Sequence, residues 1–250
     1  MEENKTASLI KLSASAIKTY EQCPKKYYFN YIEQIPKKQW DHFDLGNLCH
    51  RALETFHGIY MKEGLTKKKT LNNLMSHSFS VARNEFKNMN DVLVSEAKEM
   101  LAEYLKLVQK TGMPIVKGVE LSFTFNLTDN VLMRGFIDRL DVLKDGKFRI
   151  IDYKTTKNDK YLDDFQLLIY GLWLKKEYPH IKSFKGAYVL LRHGCRFKEY
   201  EFNIDDIEKI EKKLIAYSNK IREEDQWTPI PTALCNWCDF KNICPSQNSW

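Results

Sequence analysis

Arg134-Gly135-Phe136-Ile137-Asp138, then a short turn, then Arg149-Ile150-Ile151-Asp152-Tyr153-Lys154 is the stretch that decides the fold. It reads as a β-hairpin carrying two carboxylates and a lysine. Asp152 and Lys154 are two residues apart, so on a strand they project from one face. An acid and an amine held against an apolar core are costly unless something charged lies between them. A divalent metal and a phosphate are the candidates.

Whether Asp138 joins them depends on the loop. A two-residue turn at Asp145-Gly146 would set Lys144 against Lys147 and Asp138 against Tyr153, leaving Asp138 and Asp152 on opposite faces. A three-residue loop, Lys144 to Gly146 with Gly146 left-handed, sets Leu143 against Lys147 instead. Asp138 then lies across from Asp152, with Leu140 and Ile150 as the apolar pair beneath. The three-residue loop, or a bulge of the same effect, is the expectation. Asp141 is expected on the opposite face in a structural role.

Outward from the hairpin, Val119, Leu121, Phe123, Phe125 and Leu127 alternate with polar residues and predict a preceding strand. The hairpin strands themselves are expected at 131–142 and 147–153. A helix over Tyr161–Tyr178 follows, with Gln166 and Tyr170 four apart on one face. Strands at Phe184–Leu191 and Arg196–Phe202 and an amphipathic helix at Ile204–Arg222 complete this half. Upstream, Phe43–Tyr60 reads as a helix with His50 and Glu54 one turn apart. Cys49, about 100° around that helix from His50, is expected to be a small buried residue. Residues 66–110 show helical spacing with a break near Asn88–Asp91. Ser13 is an N-cap signal for a short helix ahead of Cys23-Pro24. The mixed run from Lys25 to Tyr31 reads as an aromatic core face with lysines outward, the alternative being a base-stacking platform.

The tail, Cys235-Asn236-Trp237-Cys238 through Cys244, brings three thiols in a C-x2-C-x5-C run. That is one ligand short of a tetrahedral or cubane set. On spacing alone Cys23 or Cys195 is the donor of the fourth. Six cysteines in a chain expected to be cytoplasmic argue for a metal or cluster rather than disulfides. No apolar run approaches the length of about 18 residues that a membrane span needs. The start lacks a basic region followed by an apolar one, so no secretory leader is expected. The net charge of +6 permits a polyanionic partner without requiring one. There is no G-x-x-x-x-G-K-[ST] phosphate loop and no H-E-x-x-H motif, so a nucleotide-driven motor within the chain is not expected.

Leu12-Ser13-Ala14-Ser15, Tyr20, Cys23-Pro24, Tyr27-Tyr28-Phe29, Leu45 to His50, Gly135 to Arg139, Ile151 to Thr155, Gln166 to Tyr170 and the cysteine run occur in that order. Together they resemble the RecB-type branch of the PD-(D/E)xK nuclease superfamily, and most closely its iron–sulfur members, the AddB-like nuclease domain and the CRISPR-adaptation exonucleases. The resemblance implies an α/β fold, with a central mixed β-sheet flanked by helices, a helical insertion and a C-terminal iron–sulfur loop. It implies one nuclease domain over 1–250: N-terminal helices at 12–64, an insertion at 65–112, a catalytic core at 113–203 and a C-terminal helix with the cysteines at 204–250. It implies a metal site from His50, Asp138, Asp152 and the Tyr153 carbonyl, with Asp138, Asp152 and Lys154 catalytic. Gln166 and Tyr170 would line the substrate, and Glu120 matches an acidic position less securely. Cys23, Cys235, Cys238 and Cys244 would hold a [4Fe–4S] cluster, leaving Cys195 a buried thiol.

Hard oxygen donors plus an imidazole suit Mg2+ or Mn2+. The implied activity is a metal-dependent deoxyribonuclease, an exonuclease on single-stranded DNA ends in recombination, repair, phage or CRISPR-related processing. The implied partners are DNA and a helicase, an integrase-type protein or a second copy, with no membrane. Two alternatives stay open: a structure-specific endonuclease, and a non-catalytic nucleic-acid-binding module with zinc on its cysteines. On spacing alone, Asp138 and Asp152 could also be a salt-bridged pair partnered by Lys154.

Overall fold

The computed structural model describes residues 9–37, 41–67 and 70–246. The order of its main elements is β1 (Ile10–Leu12), α1 (Ala14–Gln22), α2 (Pro24–Tyr27), α3 (Asp41–Glu63), α4 (Leu71–Glu85), α5 (Asp91–Thr111), β2 (Ile115–Thr128), β3 (Val131–Val142), β4 (Phe148–Lys154), α6 (Phe165–Glu177), β5 (Ser183–Leu190), β6 (Arg196–Asn203) and α7 (Ile204–Glu223). The six strands form one mixed sheet in the order β1-β3-β4-β5-β6, with β2 also paired to β3. β1 with β3 and β4 with β5 are parallel, whereas β3 with β4 and β5 with β6 are antiparallel. The parallel step from β4 to β5 needs a crossover, and α6 supplies it.

The described residues divide into two compact units. One comprises Met1–Gln39, Phe123–Gly135 and Lys209–Trp250; the other comprises Trp40–Ser122 and Phe136–Glu208. In the first, Ser13 caps α1 by accepting the Ala16 N–H at 3.2 Å. In the Lys25–Tyr31 run Tyr27 and Phe29 are buried, and Phe29 packs on Phe240 with centroids 5.5 Å apart. Lys25 and Lys26 are half-buried and not simply outward, the Lys25 ammonium lying 4.7 Å from the Tyr28 ring. In the second unit, α3, α4 and α5 close over one face of β4 and β5. Leu48, Leu53, Phe56, Leu101 and Tyr104 there share a core with Ile151, Tyr153, Ala187 and Val189. The break between α4 and α5 falls at Phe86–Asn90, where Asn90 caps α5 by accepting the Val92 N–H at 2.8 Å.

The hairpin turns as the three-residue reading requires. Leu143 and Lys147 close the loop through a 2.8 Å backbone hydrogen bond, and Gly146 sits at φ 79°. The ladder then pairs Leu140 with Ile150 and Arg139 with Ile151. Because an L side chain is strained at that φ, Gly146→Ala is expected to cost about 1 kcal/mol. A urea melt checks this; an unchanged midpoint would show that the loop relaxes freely.

The opposite face of the hairpin carries a buried cation. Arg139 is 2% exposed and grips Asp141 through two contacts of 2.8 and 3.0 Å. Its other nitrogen lies 2.8 Å from His57 Nε2 and donates to the hydroxyls of Tyr104 (2.5 Å) and Tyr153 (2.6 Å). Burial and the Arg139 charge hold His57 neutral, well below its ordinary pKa. The 66–110 region, with no chemistry legible in its sequence, thus reaches the hairpin through Tyr104.

Candidate active site

Asp138 from β3 and Asp152 from β4 face each other on the side of the sheet away from Arg139, as the register dictates. The Tyr153 backbone N–H donates to Asp138 Oδ2 at 2.7 Å instead of continuing the ladder, which fixes that carboxylate. On α3, His50 Nε2 donates to the Tyr153 carbonyl at 2.8 Å, and its Nδ1 is 3.3 Å from Asp138 Oδ2. Burial opposes a charge on His50, but the Asp138 carboxylate outweighs it and raises the imidazole to about 9.

Glu120 arrives from β2 through an irregularity. Its φ is +44°, the left-handed region, inside an otherwise extended strand. The result is that ligand atoms of His50, Glu120 and Asp138 all lie within 4.8 Å of one another. Burial first, and the neighbouring Asp138 charge second, push Glu120 up to about 7. A carboxylate pair of this kind with one imidazole is a donor set for a hard divalent cation.

Asp152 stands outside that three-residue set and pairs with Lys154. Lys154 Nζ is 2.7 Å from Asp152 Oδ2, a charge-assisted contact that gives this buried carboxylate its counter-ion. Burial raises the Asp152 pKa and Lys154 partly offsets it. Lys154 also donates to Gln166 Oε1 at 3.0 Å, and Gln166 Nε2 donates to the Tyr170 hydroxyl at 2.5 Å. The four-residue spacing on α6 thus yields one connected line from Asp152 through Lys154 and Gln166 to Tyr170.

Three contributors were not singled out from the sequence. The Tyr188 ring lies 5.3 Å from the Lys154 ammonium as a cation–π partner. Gly46 brings α3 close to the end of β4, since a Cβ there would meet Thr155 Oγ1 at 3.3 Å. Arg192 pairs with Glu96 and donates to the Thr155 carbonyl at 2.6 Å, tying down the residue after the lysine. Gly46 carried a legible signal, as a glycine inside a strong helix pattern; the other two are long-range contacts with none.

The cysteines form a separate group in the first unit. Cys23, Cys235, Cys238 and Cys244 line one cavity of about 40 Å³, together with Phe29 and Phe240. The Ile230 and Thr232 N–H groups point at the sulfurs of Cys23 and Cys235, both at 3.4 Å. Cys49 and Cys195 are buried thiols elsewhere, Cys195 donating to the Met100 carbonyl at 3.7 Å.

A hairpin with two acids and a lysine, a histidine from a preceding helix, and a glutamine–tyrosine pair from the following one, all on a mixed sheet, define a nuclease-type site. The chain belongs to the PD-(D/E)XK nuclease superfamily, whose family model matches residues 11–245. Over 199 residues it is 28% identical to one subunit of the ATP-dependent helicase/deoxyribonuclease of Streptococcus pyogenes serotype M1, and equally to the same protein of serotype M49 strain NZ131. Each match covers 72% of this chain and 18% of the relative, so the chain spans under a fifth of those proteins. Among solved structures, an exonuclease candidate from Eubacterium rectale aligns at TM-score 0.50 over 95% of this chain and 91% of that one, with 13% identity, a likeness of fold. No helix among the described residues is long and apolar enough to cross a membrane.

Proposed function

We propose that this chain is a single nuclease domain that hydrolyses DNA phosphodiester bonds with Mg2+ or Mn2+, acting as an exonuclease on single-stranded ends. The observation that carries this is the convergence of His50, Glu120 and Asp138 within 4.8 Å beside the Asp152–Lys154 pair. His50, Glu120, Asp138, the Tyr153 carbonyl and the Asp152 carboxylate are the groups that would hold the cation. A cation there acidifies water and screens the phosphate's charge. Lys154, held between Asp152 and Gln166, places a fixed positive charge beside the reacting phosphate and orients the attacking water. Tyr170 and Gln166 present hydrogen-bonding groups to the backbone of the strand. Relatives named as parts of a helicase/deoxyribonuclease support DNA as substrate and a helicase as partner; an integrase-type protein or a second copy is the other partner class.

The test is digestion of single- and double-stranded oligonucleotides with 5′ or 3′ ends blocked, in Mn2+. Loss of mononucleotides from one free end of single strands is expected. Internal cuts at strand junctions would replace this reading with the structure-specific endonuclease.

We further propose that Cys23, Cys235, Cys238 and Cys244 hold a [4Fe–4S] cluster with a structural role. The four thiols line one cavity, and the Ile230 and Thr232 N–H groups are aimed at the sulfurs of Cys23 and Cys235, which supports one shared site for the four. Anaerobically purified protein is expected to be brown and to lose colour and heat stability together in Cys23→Ser. Colourless protein with one zinc per chain would favour the zinc-bound binding module.

A further inference from the structure

We propose that Phe136 is a stacking platform for a nucleobase, holding the base next to the phosphate under attack. The inference rests on the nuclease reading and adds the part of the substrate that the metal and lysine do not touch. Along β3 side chains alternate, so Phe136, two residues before Asp138, points to the same side of the sheet as Asp138. Phe136 therefore shares the face of the reacting groups, one two-residue step, roughly 7 Å, from Asp138. On the other face of β3 its neighbours are covered: Ile137 is fully buried, and the Phe123 ring lies against Gly135. Phe136 alone of this stretch turns a large apolar surface outward, 60% exposed. Its ring meets no other aromatic ring and no cation among the described residues.

Charge gives that ring a purpose. Glu120, Asp138 and Asp152 crowd the same face with carboxylates, which repel a phosphodiester until cations neutralise them. A strand of DNA needs some neutral attachment beside such a site. A phenyl ring offers one, because every base has a π-face and stacking does not depend on charge or sequence. A base inside a duplex already has neighbours on both faces, so only an unstacked base can use Phe136. The ring thereby selects single-stranded DNA, or a frayed end, without reading sequence.

The experiment uses the full chain with Lys154→Met, to suppress turnover, in Mn2+. Binding is measured for single-stranded oligonucleotides in which one abasic residue is walked along the strand. One abasic position is expected to weaken binding about 5- to 100-fold, as loss of a stacked base does. Adding Phe136→Ala should weaken the intact oligonucleotide by a similar factor and flatten the abasic profile. Phe136→Trp should restore the step, and Phe136→Leu, apolar without a π-face, should not. A flat profile with Phe136 present overturns the proposal, and so does a step that persists in Phe136→Ala. The wild-type chain is assayed in parallel for cleavage of the intact oligonucleotide. Failure to cut sinks the nuclease reading and leaves the binding profile to judge Phe136 separately.

Discussion

Lys154→Met is expected to slow DNA hydrolysis about 10²- to 10⁴-fold, the range associated with a positioned proton-transfer or charge-stabilising group. The ammonium is held on three sides: 2.7 Å from Asp152, 3.0 Å from Gln166, and 5.3 Å from the Tyr188 ring. A lysine has three N–H donors, so this arrangement leaves at least one for a phosphate oxygen or a water. Methionine keeps the aliphatic stem against Tyr188 and removes only the charge. Asp152, 2% exposed, then loses its counter-ion, but a carboxyl can take up a proton, so folding should survive. Single-turnover cleavage at saturating Mn2+ is the measurement. A variant within about threefold of wild type would remove Lys154 from the chemistry and return it to a structural partner of Asp152.

Asp141→Ala is expected to be the most damaging change to stability, at about 3–5 kcal/mol, the typical result of stripping a buried ion pair of one partner. Arg139 is fully enclosed, and the groups around it besides Asp141 are neutral: His57, Tyr104 and Tyr153. Asp141 Oδ2 also accepts from Arg149 at 3.1 Å, so one carboxylate serves two guanidiniums. A guanidinium cannot escape by losing its proton. Against a total stability on the order of 5–15 kcal/mol, that loss would leave a large unfolded fraction at modest temperature. The double variant Arg139→Met with Asp141→Leu should recover most of it, because the buried charge goes with its partner. Urea midpoints of the three proteins decide the matter. If Asp141→Ala melts like wild type, Arg139 has found other compensation.

The hairpin was legible because a strand's side chains alternate strictly. Once the loop is counted as Lys144 to Gly146, the apposition of Asp138 and Asp152 follows arithmetically, and the ladder has that register. Helical periodicity likewise located α3, α4, α5 and α7 within a few residues. The start of α6 moves from Tyr161 to Phe165, where the Asp163 carboxylate accepts the Phe165 N–H; an aspartate signal outweighed the apolar pattern. β1 is too short at three residues to show alternation. Glu120 was a weak match in sequence because the alternation on β2 changes phase there, and a left-handed residue in mid-strand has no compositional mark unless it is glycine. The Arg139 network was invisible for a different reason: its members come from α3, α5, β3 and β4, and a single sequence carries no record of which polar residues meet.

That kink at Glu120 bears on how such a protein can age or adapt. A side chain in the left-handed region costs roughly 1–2 kcal/mol, and the Asp138 charge adds repulsion to the same residue. Glycine would relieve both, offset in part by its own greater freedom when unfolded. Selection for heat tolerance alone would therefore favour losing this carboxylate, whereas the metal-holding role proposed for it would favour keeping it. Position 120 is thus where durability and the proposed chemistry pull against each other, and a population evolved under heat without need of the enzyme should drift there.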